Sequence, residues 1–375
     1  MIVKKRFRKL LFDGGFVLKR FLKVLLGIVA FVLLVVLVYV SYVLIDYHRL
    51  EDNMVLDVEG ALSSQESVPV GTQQSIVSWN IGFGAYEDDY DFFMDGGRQS
   101  WAKSKEALTA NLSKIGACLE SFDAQFNLIQ EVDFDATRTY HVDERTYMVD
   151  ALDGQNHVFA QNYDSPFLFY PFYQPHGKSK AGIMTFSSYS ITSAVRRSLP
   201  IEDSLMKLVD LDRCYSVSRI PTDNGRELVL YNLHLSAYTS DGTIAIEQLE
   251  MLLADMQAEY EKGNYCIGGG DFNKDVVGRG VEAFGIEETE FSWAQPIPSF
   301  VFESNEMHLV APYDESNPIA SCRNPSEAYW AGQYQITVDG FLVSPNVTVV
   351  ESYVVDARFE CSDHNPVYMT FVLEP

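Results

Sequence analysis

The feature that most constrains how this chain folds is an unbroken apolar run near its start. Val24 to Ile45 is a stretch of 22 residues without a charged side chain. A helix of about 20 apolar residues spans the hydrocarbon core of a membrane while satisfying its own backbone hydrogen bonds. We therefore predict a transmembrane helix over residues 24–45. A buried helix and a cleaved signal peptide are the alternatives, but a signal peptide has a shorter apolar region and a small-residue cleavage site, which Ser41–Val43 and Asp46–His48 do not supply.

The charges on the two sides of this run are unevenly placed. Residues 1–23 hold eight Lys and Arg residues and one acid, Asp13, whereas acids such as Asp46 and Glu51 follow the run. Basic residues stay on the cytoplasmic side of a membrane helix. The predicted topology is therefore a basic cytoplasmic N-terminus over residues 1–23 and a single-pass protein of the cell membrane, with the remaining residues outside the cytoplasm.

The rest of the chain is strongly acidic. Of the 28 basic and 52 acidic residues, eight and one lie before residue 46, so the remainder has 20 basic and 51 acidic residues and a net charge of −31. This disfavours broad binding of nucleic acid, which needs a basic surface. Five scattered cysteines without a CxxC pair argue against a zinc module or a disulfide-rich fold, and leave open a single bridge such as Cys322–Cys361.

Residues 46–74 are predicted to be a linker, because they are polar and contain Gly and Pro. Beyond them, short β-rich runs alternate with two helices whose apolar stripes lie between Trp101 and Phe122 and between Ile246 and Tyr260. The predicted strands are 75–80, 126–133, 182–187, 227–236, 265–273, 335–344 and 367–373, with further strands within 191–196, 207–211 and 213–219. This alternation predicts one α/β domain over residues 75–375.

Polar residues of a few chemical kinds recur where these apolar runs end. They are Asn80, Glu131, His234, Asp271, Asn273, Asp339, Asp363 and His364. Strand ends are a rigid platform on which side chains distant in sequence can converge. Carboxylate, amide and imidazole groups without thiolates favour Mg²⁺, Mn²⁺ or Ca²⁺ over zinc. The pattern therefore predicts a divalent-cation site at the strand ends.

Six short motifs resemble the endonuclease/exonuclease/phosphatase superfamily, which has the deoxyribonuclease-I-like fold. They are SWNIG (78–82), LIQEVD (128–133), NLHLS (232–236), GGDFN (269–273), TVDGFLV (337–343) and SDHNPV (362–367). Each motif is weak alone, but six in the family's order make a strong signal. The resemblance implies a four-layer sandwich of two packed mixed β-sheets flanked by helices. It also implies metal-dependent cleavage of phosphoester bonds, with Mg²⁺ or Mn²⁺ as the cofactor.

The resemblance implies a role for each polar residue on the metal side of the site and for the base. Glu131 resembles the family's principal metal ligand, Asn80 lies beside it, and Asp363 resembles a further acid on the metal side. His364 resembles the general base, and Asp339 resembles the carboxylate that orients it.

The remaining three residues resemble those that handle the water and the leaving group. Asp271 and Asn273 resemble the pair that orients the attacking water and the phosphate oxygens, and His234 resembles the histidine that stabilises or protonates the leaving oxygen. Nuclease members hold this second histidine with a carboxylate near the third strand. The corresponding stretch Lys178–Thr185 contains no acid, so no carboxylate partner is predicted for His234.

We predict a monomeric, membrane-anchored phosphodiesterase or phosphatase that acts outside the cytoplasm on a lipid head group or a small phosphoester. An extracytoplasmic nuclease with the same site is the alternative, which the charge disfavours. An inactive binding domain is a third reading, disfavoured because all the acids and both histidines are present. The aromatic run SPFLFYPFYQP (165–175) fits either a lipid-contacting rim or core packing. Four basic residues are candidate phosphate contacts or ion-pair partners: Arg138, Lys180, Arg213 and Arg219.

Overall fold

The computed structural model describes residues 2–60, 66–208, 210–237, 243–287 and 293–375. The chain divides into two units, the first ending at His48 and the second comprising Arg49–Pro375. The first unit is one helix, α1 (Ile2–Asp46). Its segment Leu18–Asp46 is long and apolar enough to cross a membrane, with a hydropathy of 3.1 in its most apolar window and no residue of that window buried. The helix predicted over residues 24–45 is present within this candidate membrane span.

In the part of the second unit that the structure describes, there are fifteen strands and three further α-helices. The helices are α2 (Lys105–Ser121), α3 (Glu144–Ala151) and α4 (Thr243–Tyr260). The strands are β1 (Met54–Leu56), β2 (Gln73–Asn80), β3 (Phe126–Ala136), β4 (Asn156–Asp164), β5 (Ser179–Ser187), β6 (Ser193–Ser198), β7 (Cys214–Pro221), β8 (Glu227–His234), β9 (Tyr265–Asp271), β10 (His308–Val310), β11 (Cys322–Arg323), β12 (Gln335–Ile336), β13 (Asp339–Val343), β14 (Val347–Val354) and β15 (Val367–Leu373).

Within the described residues, the strands form two large mixed sheets and one short pair. The first sheet has seven strands in the order β1-β6-β7-β8-β9-β13-β10, and the second has six in the order β14-β15-β2-β3-β5-β4. The pair is β11-β12. Each large sheet contains one parallel pair, β8/β9 in the first and β2/β3 in the second. Parallel neighbours with both faces covered have nearly continuous apolar runs, which is why these strands were visible in the sequence.

The two sheets pack face to face, and helices cover their outer faces. The core between the sheets includes Ile76 and Phe126 from the second sheet and Ile267 from the first. Alternate residues point outward, so Trp79 packs in a separate cluster with α2, while Leu233 packs with α4. These helix, sheet, sheet and helix layers confirm the predicted four-layer α/β sandwich.

The start of the domain differs from the prediction. Residues 46–74 do not form a linker throughout, because β1 pairs with β6 and joins the first sheet. The Arg49 Nε also donates to Asp212 Oδ1 at 2.7 Å, and the Val68 backbone N–H donates to the Pro221 carbonyl at 2.8 Å. The domain therefore begins at Arg49. A three-residue edge strand is too short to show an alternating pattern, which is why the sequence did not reveal it.

Some predicted elements are also altered. The strand predicted over 207–211 is wrong, since Leu205–Leu208 is a 3₁₀ helix and residue 209 lies outside the described residues. The strand predicted over 335–344 is divided into β12 and β13. All five cysteines are free, so the Cys322–Cys361 bridge is not formed.

Candidate active site

Strand register assembles one side of the site. In the first sheet, β8 and β9 run parallel and place His234 opposite Asp271. On the other side of β9, the antiparallel β13 places Asp339 opposite the same Asp271. Residues opposite each other on neighbouring strands point to the same face of the sheet. Register alone therefore puts these three side chains in one row at the end of the sheet.

The second sheet supplies Asn80 and Glu131. Asn80 ends β2, and Glu131 lies in a β-bulge of β3 between Ile129 and Val132. The backbone of Glu131 has φ +56°, in the left-handed region, which costs an ordinary residue about 1–2 kcal/mol. Such strain is typical of positions where a side chain is re-aimed for function. In this conformation the Glu131 Oε1 accepts a hydrogen bond of 3.0 Å from Asn80 Nδ2.

Asp271 lies at the centre of the site. Its Oδ2 is 3.5 Å from His234 Nε2 and 3.8 Å from His364 Nε2, and it accepts a hydrogen bond of 3.1 Å from Asn80 Nδ2. Its Oδ1 accepts the backbone N–H of Asn273 at 2.8 Å. The carboxylate is 2% exposed. Residues from both sheets therefore meet at one buried oxygen.

The histidine expected to act as the base is held from two directions. His364 Nδ1 is 2.7 Å from Asp339 Oδ2, and the His364 carbonyl accepts a hydrogen bond of 2.8 Å from Trp79 Nε1. If Nδ1 carries its proton toward Asp339, the His364 Nε2 is left facing Asp271. This is the tautomer that an oriented general base requires.

Asp363 and Asn273 also lie at the site. The Oδ1 of Asp363 lies beside Gly82, where an added Cβ would approach it to 2.9 Å, and the charge of Glu131 acts on Asp363. The side chain of Asn273 is anchored by a hydrogen bond of 2.8 Å from Nδ2 to the Leu235 carbonyl. All eight sequence-predicted site residues are brought together; their individual roles stay predictions.

Burial and mutual repulsion perturb the acids. Burial raises the pKa of Asp271 to about 7, with a further increase from the charge of Asp339. Burial likewise raises the pKa of Asp363 to about 6, and the charge of Glu131 adds to this effect. Raised pKa values mean that the negative charge of this cluster is not fully compensated by the protein.

The two histidines are perturbed in opposite directions. Burial opposes the charged form of His364, but the adjacent Asp339 outweighs it and raises the pKa of His364 well above its ordinary value. Burial lowers the pKa of His234 well below its ordinary value, and the charges of Arg213 and His364 lower it further. Without a cation, these directions favour a protonated His364 and a neutral His234.

The donor set fits a divalent cation. Uncompensated carboxylate oxygens with an amide beside them are what Mg²⁺ or Mn²⁺ binds. Ligand atoms of Asp271, Asp339 and His364 lie within 4.8 Å of one another, but the last two are engaged with each other. Glu131 and Asp363, with Asn80 beside them, are therefore the residues that would hold such a cation.

Among the basic residues that the sequence proposed as phosphate contacts, the structure distinguishes Arg213 from Arg138 and Arg219. Arg138 is paired with Asp133, and Arg219 is paired with Glu227 and Glu259. Arg213 differs. It is 6% exposed, and neither its Nε nor its Nη1 has a hydrogen-bond partner among the described residues. The charge of Arg213 lowers the pKa of His234, so Arg213 lies near that histidine. No sequence signal distinguishes an unpaired arginine from a paired one.

His234 lacks a carboxylate partner on its outer nitrogen, as the sequence predicted. Its Nδ1 is buried and has no hydrogen-bond partner within the described part of the chain. Its Nε2 faces the acids, at 3.5 Å from Asp271 and 3.9 Å from Glu131. The histidine is thus available to a leaving oxygen but is not held in one tautomer by a carboxylate.

A two-sheet sandwich with a cluster of acids and two histidines at its strand ends is the architecture of phosphoester hydrolases. The chain belongs to the Endonuclease/Exonuclease/phosphatase family, whose family model matches residues 77–364. The resemblance on which the site was predicted is therefore confirmed. No curated protein matches the chain.

Solved structures share the fold at low sequence identity. An endonuclease/exonuclease/phosphatase from Beutenbergia cavernae is 18% identical, with a TM-score of 0.56 over 80% of this chain and 72% of that one. ANGEL2, described as a 2',3'-cyclic phosphatase, is 17% identical, with a TM-score of 0.55 over 86% of this chain and 99% of its own. A Bacteroides vulgatus family member is 13% identical, with a TM-score of 0.51 over 81% and 100% of the two chains. At these identities the likeness concerns the fold alone.

Proposed function

We propose that this protein is a membrane-anchored phosphodiesterase or phosphatase that depends on Mg²⁺ or Mn²⁺ and acts outside the cytoplasm. The observation that supports it most is the convergence of Glu131, Asp271 and Asp363 on the Asp339–His364 pair in one cluster. Phosphoryl transfer requires charge neutralisation on the phosphate, a base for the water and an acid for the leaving group. The cluster offers carboxylates that suit a cation, an oriented histidine for the water and a second histidine beside Asp271.

Each residue has a defined task in this proposal. His364 Nε2 accepts the proton of the attacking water, while Asp339 holds the ring and stabilises its charged form. Asp271 and Asn273 orient the water and a phosphate oxygen. His234 Nε2 hydrogen-bonds the departing oxygen. A bound divalent cation would supply positive charge to the phosphate oxygens, and as a nearby positive charge it would lower the pKa of His364.

Arg213 is suited to bind the substrate phosphate. It is buried, its Nε and Nη1 donors are unused, and it lies near His234. A guanidinium with free donors can bind a phosphate through two parallel hydrogen bonds. In a domain with 20 basic and 50 acidic residues and a net charge of −30, such a local cation is what an anionic substrate needs to enter.

An exposed aromatic segment favours a substrate carried by a membrane. Phe169, Tyr170, Phe172 and Tyr173 are 50%, 64%, 84% and 68% exposed. The surrounding run, residues 165–175, carries no charge, so it can approach a lipid surface that the rest of the acidic domain does not favour. Exposed Phe and Tyr side chains are the kind that insert at a membrane interface.

Ring contacts connect this aromatic segment to the site. Tyr170 packs on Phe93 at 5.7 Å between ring centroids, Phe93 on Phe92 at 4.9 Å, and Phe92 on Tyr86 at 5.5 Å. Tyr86 borders Gly82, the glycine that lies beside Asp363. The segment thus lies beyond the metal side of the site, which supports a lipid head group as the substrate. A nuclease remains the alternative.

The test is hydrolysis by the full-length protein in phospholipid nanodiscs. We would measure initial rates on bis-p-nitrophenyl phosphate, p-nitrophenyl phosphate, sphingomyelin, phosphoinositides and plasmid DNA, after EDTA treatment and after adding Mg²⁺ or Mn²⁺. We expect no hydrolysis in EDTA, recovery with the cation, and faster cleavage of a lipid or small phosphoester than of DNA. Hydrolysis undiminished in EDTA would contradict the cation dependence, and rapid DNA cleavage at low salt would favour the nuclease.

The proposed topology has its own test. Protease added outside intact cells that express the full-length chain should digest the domain beginning at Arg49 and leave residues 1–23 intact. A protected domain would place the enzyme in the cytoplasm.

A further inference from the structure

A short segment, Ala320–Arg323, runs beside the loop that carries the predicted base. The backbone N–H of Arg323 donates to the Asp363 carbonyl at 2.9 Å, and that of Asn365 donates to the Ser321 carbonyl at 2.7 Å. Cys322 forms an antiparallel bridge with His364. Ser321 is therefore fixed next to the base by backbone contacts, and its side chain is 0% exposed.

The hydrogen bonds of the Ser321 hydroxyl fix the direction of its proton. Its Oγ accepts the backbone N–H of Val338 at 3.0 Å and that of Asp339 at 3.1 Å. A hydroxyl has two acceptor lone pairs and one proton, so both lone pairs are used. The proton must then go to the remaining neighbour, the Asp339 Oδ2, at 2.6 Å.

Asp339 depends on this donor. Its Oδ2 receives hydrogen bonds from both Ser321 and His364 Nδ1, whereas its Oδ1 is buried without a partner among the described residues. The charge of nearby Asp271 repels the carboxylate. The Ser321 hydroxyl is thus the group that resists rotation of Asp339 away from the histidine.

We propose that Ser321 is a positioning residue of this active site, whose hydroxyl holds Asp339 in the rotamer that orients the His364 ring. This inference rests on the proposed function, in which His364 Nε2 acts on the water. It goes beyond the predicted site, because Ser321 touches neither the substrate nor the cation. Outer hydrogen-bond partners of this kind are worth about 10–100-fold in activity.

The main experiment compares Ser321→Ala with a matched control, Ser344→Ala, in the full-length protein. Ser344 is also fully buried, accepts a backbone N–H from Cys266 at 2.9 Å and donates to Asn346 Oδ1 at 2.6 Å, but it lies at the opposite end of β13. With bis-p-nitrophenyl phosphate and Mg²⁺, we expect Ser321→Ala to lower kcat about 10–100-fold at nearly constant KM. Ser344→Ala should keep kcat within about twofold of the wild type.

A second comparison separates positioning from a general loss of structure. In an Asp339→Ala background, Ser321→Ala should lower kcat by less than about twofold, because the group through which it acts is gone. Ser321→Thr, which keeps the hydroxyl, should retain most of the activity if it folds. An unchanged kcat in Ser321→Ala, or an equal loss in both backgrounds, overturns the proposal.

A measurement without substrate keeps the proposal independent of the reaction. The proton between His364 Nδ1 and Asp339 gives a low-field proton NMR resonance, assigned by its loss in His364→Ala. Ser321→Ala should broaden or shift that resonance, whereas Ser344→Ala should leave it in place. A resonance unaffected by Ser321→Ala overturns the proposal. If the wild type hydrolyses no phosphoester but Ser321→Ala still shifts or broadens the resonance, the proposed function is refuted and the positioning role of Ser321 is retained.

Discussion

Replacing Asp271 with asparagine should abolish hydrolysis and yet stabilise the cation-free domain at alkaline pH. Burial, aided by the charge of Asp339, raises the pKa of Asp271 to about 7. The ordinary value for an aspartate is about 3.9, and a difference of about three in pKa corresponds to about 4 kcal/mol. The folded domain therefore bears a penalty of this order whenever Asp271 is ionised without a cation.

The sign of the pH dependence follows from the direction of the change in pKa. The folded state holds the proton more tightly than the unfolded state, so folding stability contributed by this group falls as the pH rises from about 4 to about 7. Asparagine does not ionise and avoids the penalty. It weakens the hydrogen bonds from Asn273 and Asn80, at a cost of about 1–2 kcal/mol. We therefore expect the free energy of unfolding of Asp271→Asn to exceed that of the wild type by about 2 kcal/mol above pH ~7.5. Below pH ~4 it should be slightly smaller than that of the wild type.

The assay is urea unfolding of residues 49–375, which form a unit of their own, in EDTA at pH ~8 and pH ~4. Asp153→Asn, at an exposed position, is the matched control and should change stability little at either pH. Added Mg²⁺ should stabilise the wild type more than Asp271→Asn, because the cation also relieves the penalty of the ionised Asp271. If Asp271→Asn is less stable than the wild type at pH ~8 in EDTA, the charge of Asp271 is compensated within the protein and the reasoning fails.

Three further predictions concern single side chains. His364→Ala should lower turnover by about 10²–10⁴-fold with little change in melting temperature; if the domain unfolds and the residual enzyme keeps its rate, the residue is structural. Arg213→Met should raise KM for phosphoesters about tenfold or more and alter kcat less, since a charged hydrogen bond of about 1.5–3 kcal/mol to the substrate is lost; steady-state kinetics that show an unchanged KM exclude the contact. Gly270→Ala should yield no soluble domain, because the added Cβ would lie 1.9 Å from the Leu233 carbonyl oxygen. A soluble variant with a normal circular dichroism spectrum would contradict the observed packing.

The sequence predicted the central strands well and the edges poorly. β2, β3, β8 and β9 are covered on both faces, so they carry long apolar runs that end in polar residues. β14 is mostly exposed or half-buried along its length, and β1 and β10 have three residues each. Such strands are held by pairing with a neighbour and not by their own pattern, so a local reading of the sequence does not find them.

The members of the site were predictable, but their supports were not. Each predicted residue ends or follows an apolar run, a local signal strengthened by motif order. The left-handed backbone of Glu131 depends on a bulge against β5, which is a property of strand pairing. Ser321 reaches Asp339 from 18 residues away in the chain, and nothing in its immediate sequence marks it.

The register of β9 limits where insertions can be accepted as such a chain evolves. His234, Asp271 and Asp339 are aligned because β8, β9 and β13 pair without an offset. A one-residue insertion between Ile267 and Asp271 would preserve a sheet but turn the aspartate to the opposite face. Insertions in the loops that join the strands leave the row intact. Length variation should therefore be confined to the loops that join the strands.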